Sequence, residues 1–490
     1  MISVNRTDLV SDPLTTGYKM VGIPDGLGAY DNSPGNANGT FTVLMNHELG
    51  STAGTTRAHG AIGSFVSEWV INKSDFSIVS GNDLIQRVYG WNSTTQVSNA
   101  TTSTVAFNRF CSADLAPTTA FKNGALGTTA RIYLNGEEGG ANGYGVATVA
   151  TGSDKGSAYV LGKFNLSTNG SGQTGVGGWE NLVASPYAQD KTIVIGTNDG
   201  GTGIMSQSVA VYVGTKTSTG TDVDKAGLTN GTLKFLNVTG NAAEIINTTT
   251  RATGITSGTA FTLSTTASTA FSRPEDVAWD TISSNKFYFA TTDRIDTTEI
   301  TGQTQVGRTR LWSASFNDIT NPDAGGTINL LVDGDVVGGQ LVNMFDNITV
   351  GKDGTVYLQE DVGGAAHNGK IWAYNPTSDS LSQLFKHDAA LFGDVVSGAS
   401  VGAVSPYTND EESSGVIEIT DILGRNDGKT YLLTSDQAHY TTLISATNVE
   451  GGQLLVLSSP SAIPEPSSYT AIAAGVALLG AATRRRRRNA

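Results

Sequence analysis

A single cysteine, Cys111, stands in 490 residues, which excludes an intrachain disulfide. Histidine is almost as scarce. His47, His59, His367, His387 and His439 form no HExxH and no closely spaced pair, which argues against a zinc hydrolase of that kind. No GxxxxGK[ST] occurs, so there is no P-loop. GASVG at 398–402 matches a nucleophile elbow in letters only, because a loop-like AVSPYTNDEESSG follows where a helix is required. Proline is limited to 12 residues and charged residues to 15%. The Ala/Leu/Glu/Lys pattern of long helices is missing until the last 25 residues or so. What remains is glycine, 60 residues, with Thr, Asn and Ser throughout. This is the composition of an all-β chain rich in turns, with ample length for a core.

Positive charge is also short. The formal net charge is −14, and five of the 30 basic residues are Arg484 to Arg488. A body this acidic repels nucleic acid, so no nucleic-acid partner is expected. Its carboxylates suit cations or a solvated surface.

The last residues, 464–490, read PEPSSYTAIAAGVALLGAATRRRRRNA. The run from Tyr469 to Ala482 is apolar on every face and predicts a helix, short for a span of about 20 residues. The arginines should stay cytoplasmic and place the body across the membrane. Triplet, apolar run and Arg cluster, in that order, resemble the bacterial PEP-CTERM sorting signal. That resemblance implies that Pro464, Glu465 and Pro466 are read by an exosortase and that Arg484, Arg485 and Arg486 flank a transient membrane anchor. It implies export to the outer surface or matrix of a Gram-negative-type bacterium. The expected division is a body over 1–460 and a sorting segment over 461–490. The opening MISVNRTDLVSDP has neither n-region nor apolar h-region, so an export leader is expected to have been trimmed or to lie upstream.

Six stretches share one form: FTVLMNHELG (41–50), RIYLNGEEGG (131–140), TIVIGTNDGG (192–201), KFYFATTDR (286–294), TVYLQEDVGG (355–364) and TYLLTSDQA (430–438). Each is an alternating apolar strand that runs into acids. Companion strands precede most of them, as RPEDVAWD (273–280) precedes KFYFATTD and FDNITVGKDG (345–354) precedes TVYLQED. A long β repeat of this kind predicts a propeller. Six repeats predict six blades with long inter-strand loops, followed by the C-terminal apolar helix. If equivalent strands line one channel, their acids converge at its mouth. Any single acid at a strand end is explained by turn chemistry alone; six in phase, several doubled, call for cations. Oxygen ligands suit Ca²⁺, and a thiolate among them suits iron. Cys111 is then either a packed thiol or a metal ligand. DVDKAG (222–227) and VDGDVVGG (332–339) lack EF-hand spacing and read as turns.

NHE (46–48), FCSADL (110–115), GEE (136–138), WEN (179–181), RPED (273–276) and the DN (346–347) ahead of TVYLQED, taken in order over about residues 20–445, resemble the PhoX-type alkaline phosphatases. The resemblance implies a six-bladed propeller with a Ca²⁺/Fe³⁺ cluster that hydrolyses phosphate monoesters; a monomer is expected. It implies Cys111 as an iron ligand, Glu138 and Glu275 as carboxylate ligands, and Glu48, Asp199, Asp346 and Glu360 as further ligands. Arg273 would hold the phosphate, with help from Asn46. Strand phase alone selects Glu138 over Glu137 and Glu360 over Asp361. His47 would be either a supporting group or a structural histidine. The alternatives are a calcium-binding surface propeller without turnover and a calcium phosphatase acting on other esters, such as phytate or diesters.

Overall fold

The computed structural model describes residues 2–4, 17–138, 143–164, 178–199, 207–293, 307–334, 336–337, 340–363, 367–396, 399–442 and 444–460. The tail motif, with Pro464, Glu465, Pro466, Arg484, Arg485, Arg486 and the expected apolar helix, lies outside these residues. Among the described residues, no helix is long and apolar enough to cross a membrane.

The chain is all-β and propeller-like. β1 is Ile2–Ser3. β2 (Pro24–Asp31), β3 (Thr40–His47), β4 (Phe65–Asn72) and β5 (Ile78–Asp83) form an antiparallel meander. A short β6 (Arg87–Tyr89) joins the outer edge of the next sheet, β7 (Phe110–Asp114), β8 (Ile132–Glu137), β9 (Gly145–Val149) and β10 (Ser157–Leu161). One run then comprises β11 (Trp179–Ala184), β12 (Lys191–Asn198), β13 (Val209–Thr215) and β14 (Thr232–Val238). β15 is Thr259–Ser264. Another run comprises β16 (Pro274–Trp279), β17 (Lys286–Thr291), β18 (Arg310–Phe316) and β19 (Gly326–Asp333). β15 pairs with β14 on one side and β19 on the other, so hydrogen bonding welds the two runs into one nine-stranded sheet. β20 (Phe345–Val350), β21 (Val356–Glu360), β22 (Lys370–Asn375) and β23 (Ser380–Lys386) make a further sheet. In the last, β24 (Glu412–Glu418), β25 (Lys429–Gln437) and β26 (Gln453–Pro460) are completed by β1, so both ends of the described chain share one sheet. The strand pairing therefore gives four sheets of four or five strands and one of nine, rather than six separate sheets. The cause is β15, an extra strand that satisfies two outer edges at once.

The first strand of each run packs beside the first strand of the next: β2 on β7, β7 on β11, β11 on β16, β16 on β20, β20 on β24, and β24 back on β2. Alternation along the strands explains why this ring holds. Phe41, Val43 and Met45 pack toward the last sheet with Tyr431 and Leu433, whereas Leu44 packs toward the second sheet with Tyr133 and Val146. Ile193 and Ile195 face Phe287 and Phe289, while Val194 faces Leu134 and Ala147. Period two thus assigns alternate side chains to opposite neighbours, and both faces of a sheet are buried.

Arg310 of β18 forms a buried ion pair with Glu244, from the segment between β14 and β15. Arg310 Nη1 lies 2.8 Å from Glu244 Oε1, and both side chains are fully buried. Arg310→Ala leaves Glu244 buried without its cation. It is expected to cost about 3–5 kcal/mol of stability in denaturant unfolding, without altering metal uptake at the channel.

Two local devices recur on the inner strands. Each pairs with its neighbour through a register irregularity near its start, next to Pro24, Phe110, Trp179, Pro274, Phe345 and Ser414. Such bulges re-aim side chains. Five of these strands are also preceded by a residue in the left-handed region: Ile23, Arg109, Gly178, Arg273 and Met344, with φ between 49° and 73°.

Candidate metal centre

The turn and bulge together point the second residue of five of the six inner strands into the channel. Those residues are Asp25, Cys111, Glu180, Glu275 and Asp346. Loop residues after the second strands, Glu48, Glu138 and Asp361, reach the same place, as does Glu412 of β24. Their ligand atoms form four overlapping triplets: Asp25–Glu48–Cys111, Cys111–Glu138–Glu180, Glu180–Glu275–Asp346 and Asp346–Asp361–Glu412. Within each triplet the atoms lie within 4.8 Å of one another. Cys111, Glu180 and Asp346 each serve two triplets, so the nine side chains form one continuous bed.

The electrostatics demand compensation. Burial, helped by neighbouring carboxylates, pushes Glu180 up to about 7 and Glu138 up to about 8. It raises Asp25, Glu275, Asp346 and Glu412 well above the carboxylate range. Burial likewise pushes up the Cys111 thiol, which donates to Glu138 Oε2 at 3.2 Å. Asp25 Oδ1 and Asp346 Oδ1 are buried without a hydrogen-bond partner. Lone acceptors in a carboxylate bed fit bound cations, which would take the place of the protons.

Two guanidiniums stand at the bed. Arg109 pairs with Glu48 at 2.6 Å and Glu138 at 2.5 Å. Arg273 pairs with Glu275 at 2.8 Å and Asp199 at 3.1 Å.

A polar layer lies at the next strand position. Ser112 Oγ donates to Glu180 Oε1 at 2.9 Å. The amide of Asn347 donates to Ser112 Oγ across the channel, and Ser414 Oγ donates to Asn347 Oδ1 at 3.2 Å. Asn181 donates to Asp276. A cavity of about 350 Å³ lies along the remaining length of the inner strands, lined by Leu27, Leu115, Val277, Trp279 and Ile348 among others.

Of the residues expected from sequence, Cys111, Glu48, Glu138, Glu275 and Asp346 come together in the bed, with Arg273 beside it. Three have other places. Glu360 faces away from the channel: its carboxylate accepts from Trp372 Nε1 at 2.8 Å and pairs with Lys370 at 3.3 Å. Asp361 is the member of that doublet that joins the bed, because the strand ends at Glu360 and the following residue turns into the channel. Asn46 is fully buried, and its amide donates to the carbonyl of Cys111 at 2.6 Å. It holds the Cys111 strand. Asp199 belongs to none of the triplets and pairs with Arg273. His47 is structural, stacked on Phe65 and bonded to Gly22 and Ser67. DVDKAG is a capped helical turn.

Asp25, Glu180, Asp361, Glu412 and Arg109 were not assigned from sequence. The signal was present in part: Ile23-Pro24-Asp25 parallels Arg273-Pro274-Glu275, and Trp179-Glu180 parallels Phe345-Asp346.

No protein-family model matches the chain, and no curated protein matches it. Among solved structures, it is similar to Pseudomonas fluorescens PhoX in complex with vanadate, a transition-state analogue. The identity is 11%, the TM-score 0.58, and the match covers 90% of this chain and 89% of that one. The periplasmic gluconolactonase PpgL of Pseudomonas aeruginosa matches at 11% identity and TM-score 0.34, over 86% of this chain and 82% of that one. At these identities the first likeness shows a shared β-propeller fold, and the second carries no weight for the site.

Proposed function

We propose that the protein is an exported, metal-dependent phosphatase acting on phosphate monoesters at the carboxylate bed. In this reading the body is a six-bladed propeller: β11–β14 and β16–β19 are two blades joined at their outer edges by β15. The observation that carries the proposal is the continuous bed itself, with a thiol among its donors and two arginines beside it. The nearness of its fold to a phosphatase is consistent with it. Asp25, Glu48, Glu275, Asp346, Asp361 and Glu412 would hold Ca²⁺, whose ligands are oxygen. Cys111, with Glu138 and Glu180, would hold a softer ion such as iron. Bound cations would supply Lewis-acid activation of the phosphoryl group and of water. Arg273 would grip the phosphoryl oxygens through its planar fork. The polar layer of Ser112, Asn347, Asn181 and Asp276 fixes the backs of the ligand strands. Export and anchoring through the PEP-CTERM-like tail belong to the same proposal.

The test is metal content and turnover of an aryl phosphate on one preparation of the full chain, loaded with Ca²⁺ and iron. Bound iron, with turnover lost in Cys111→Ala and Arg273→Ala, is the expected result. Calcium alone in a folded, inactive protein would refute the phosphatase. It would favour the second reading, a calcium-binding surface propeller, to which one feature already points: eight of the nine donors are carboxylates.

A further inference from the structure

Arg109 has no role in the reading above. Its place in the fold is that of Arg273, one residue before an inner strand, with φ of 51° against 55°. That conformation belongs to the repeat, since Ile23 and Met344 adopt it too. The fold therefore does not require arginine there, and the choice of side chain is open to function. The two arginines precede β7 and β16. Between them lies β11, where the same position is Gly178, with no side chain, ahead of Glu180. Arg109 pairs with Glu138, which shares a triplet with Glu180; Arg273 pairs with Glu275, which shares the other. The guanidiniums thus stand on either side of Glu180 with a gap between them. Their side chains remain 49% and 29% exposed in a bed otherwise nearly closed to solvent.

We propose that Arg109 and Arg273 are the two arms of an anion clamp across Glu180, and that the clamp takes a terminal phosphoryl dianion. This rests on the phosphatase reading and deepens it. Cations in the bed take over the charge of Glu48, Glu138 and Glu275. The outward N–H groups of both guanidiniums are then free to donate to phosphoryl oxygens from opposite sides. A dianion with three terminal oxygens can occupy both arms, whereas a diester offers only two such oxygens and one charge. The clamp therefore selects monoesters, and Arg109 is the residue that sets that selection.

The test uses the metal-loaded full chain, with inorganic phosphate as probe. Arg109→Gln should keep the wild-type metal content. Its calorimetric affinity for inorganic phosphate should fall by roughly 10- to 100-fold, the loss of one charged hydrogen-bonding partner. KM for an aryl phosphate should rise by a similar factor, and the monoester-to-diester preference should shrink. Arg109→Lys, which keeps the charge but not the fork, should recover part of the affinity. Wild-type phosphate affinity in Arg109→Gln, with metals in place, would overturn the clamp while leaving the phosphatase standing. Loss of metal in Arg109→Gln, restored together with full phosphate affinity by Lys, would make Arg109 a counter-ion only. A wild type that binds metal but neither phosphate nor ester would remove both readings.

Discussion

In chelator, the protein is expected to lose thermal stability as pH rises from 6.5 to 8.5, and saturating Ca²⁺ should reduce that slope. Glu180 and Glu138 hold protons up to about 7 and about 8 in the folded, metal-free bed. Unfolded, they release them near the ordinary value of about 4.3. The folded state therefore binds more protons across this window. Stability is fully present below the unfolded value and is lost as pH passes the folded ones. The lower limit is set elsewhere. His47, buried and neutral, is depressed to about 3, so below its unfolded value of about 6.5 it destabilises the fold, with the opposite slope. Above 6.5 the bed carboxylates are joined by His439, which, against the opposing effect of burial, Glu450 holds up to about 9 and which falls with the same slope. Cations replace the protons, and each site filled at about 1,000 times its dissociation constant adds about 4 kcal/mol. Two such sites, against an unfolding entropy of about 1 kcal/mol per degree for a chain this long, raise Tm on the order of 8 °C. Scanning calorimetry at pH 6.5, 7.5 and 8.5, with chelator and with Ca²⁺, checks both statements. A flat profile in chelator, or a slope that Ca²⁺ leaves untouched, would mean that the bed is not a cation site.

Glu180→Gln is expected to be the most damaging conservative change in the molecule. Glu180 belongs to two triplets and accepts from Ser112 beneath. Replacing it removes charge from the middle of the bed while preserving size. Metal analysis should show the loss of ions from both triplets together, and turnover should fall by at least about 100-fold, the upper end for changes one shell further out. Glu412→Gln, at the end of the bed and in one triplet only, should lose one ion and retain the rest. Equal losses in the two variants would mean that the triplets act independently and that Glu180 is no bridge.

Much of this was legible in the linear chain. The alternation in FTVLMNHELG, TIVIGTNDGG and KFYFATTDR placed β3, β12 and β17, because apolar period two is a local property. The acids at their ends and the lone Cys111 marked one end of the strands. Glu360 and Asp361 show where that reasoning stops: at a strand end the period breaks, and local pattern no longer says which of two adjacent acids faces inward. The bulges next to Pro24, Trp179 and Pro274 have the same consequence on the inner strands. They add a residue that shifts the side chains' direction, so Asp25 and Glu180 passed unmarked although their neighbours read as strand.

The sequence by itself determined an acidic, disulfide-free, all-β chain built from repeated strand pairs with acids at one end, because composition and period two are written residue by residue. Only the tertiary structure decided which acids meet. Ser112 reaches Asn347 across 235 positions of chain, and Asp25 shares Gln437 with Glu48 across 412. Contacts of that span exist only once the ring closes. Bringing like charges together is unfavourable on its own, and it is the packing of the sheets against one another that holds them there.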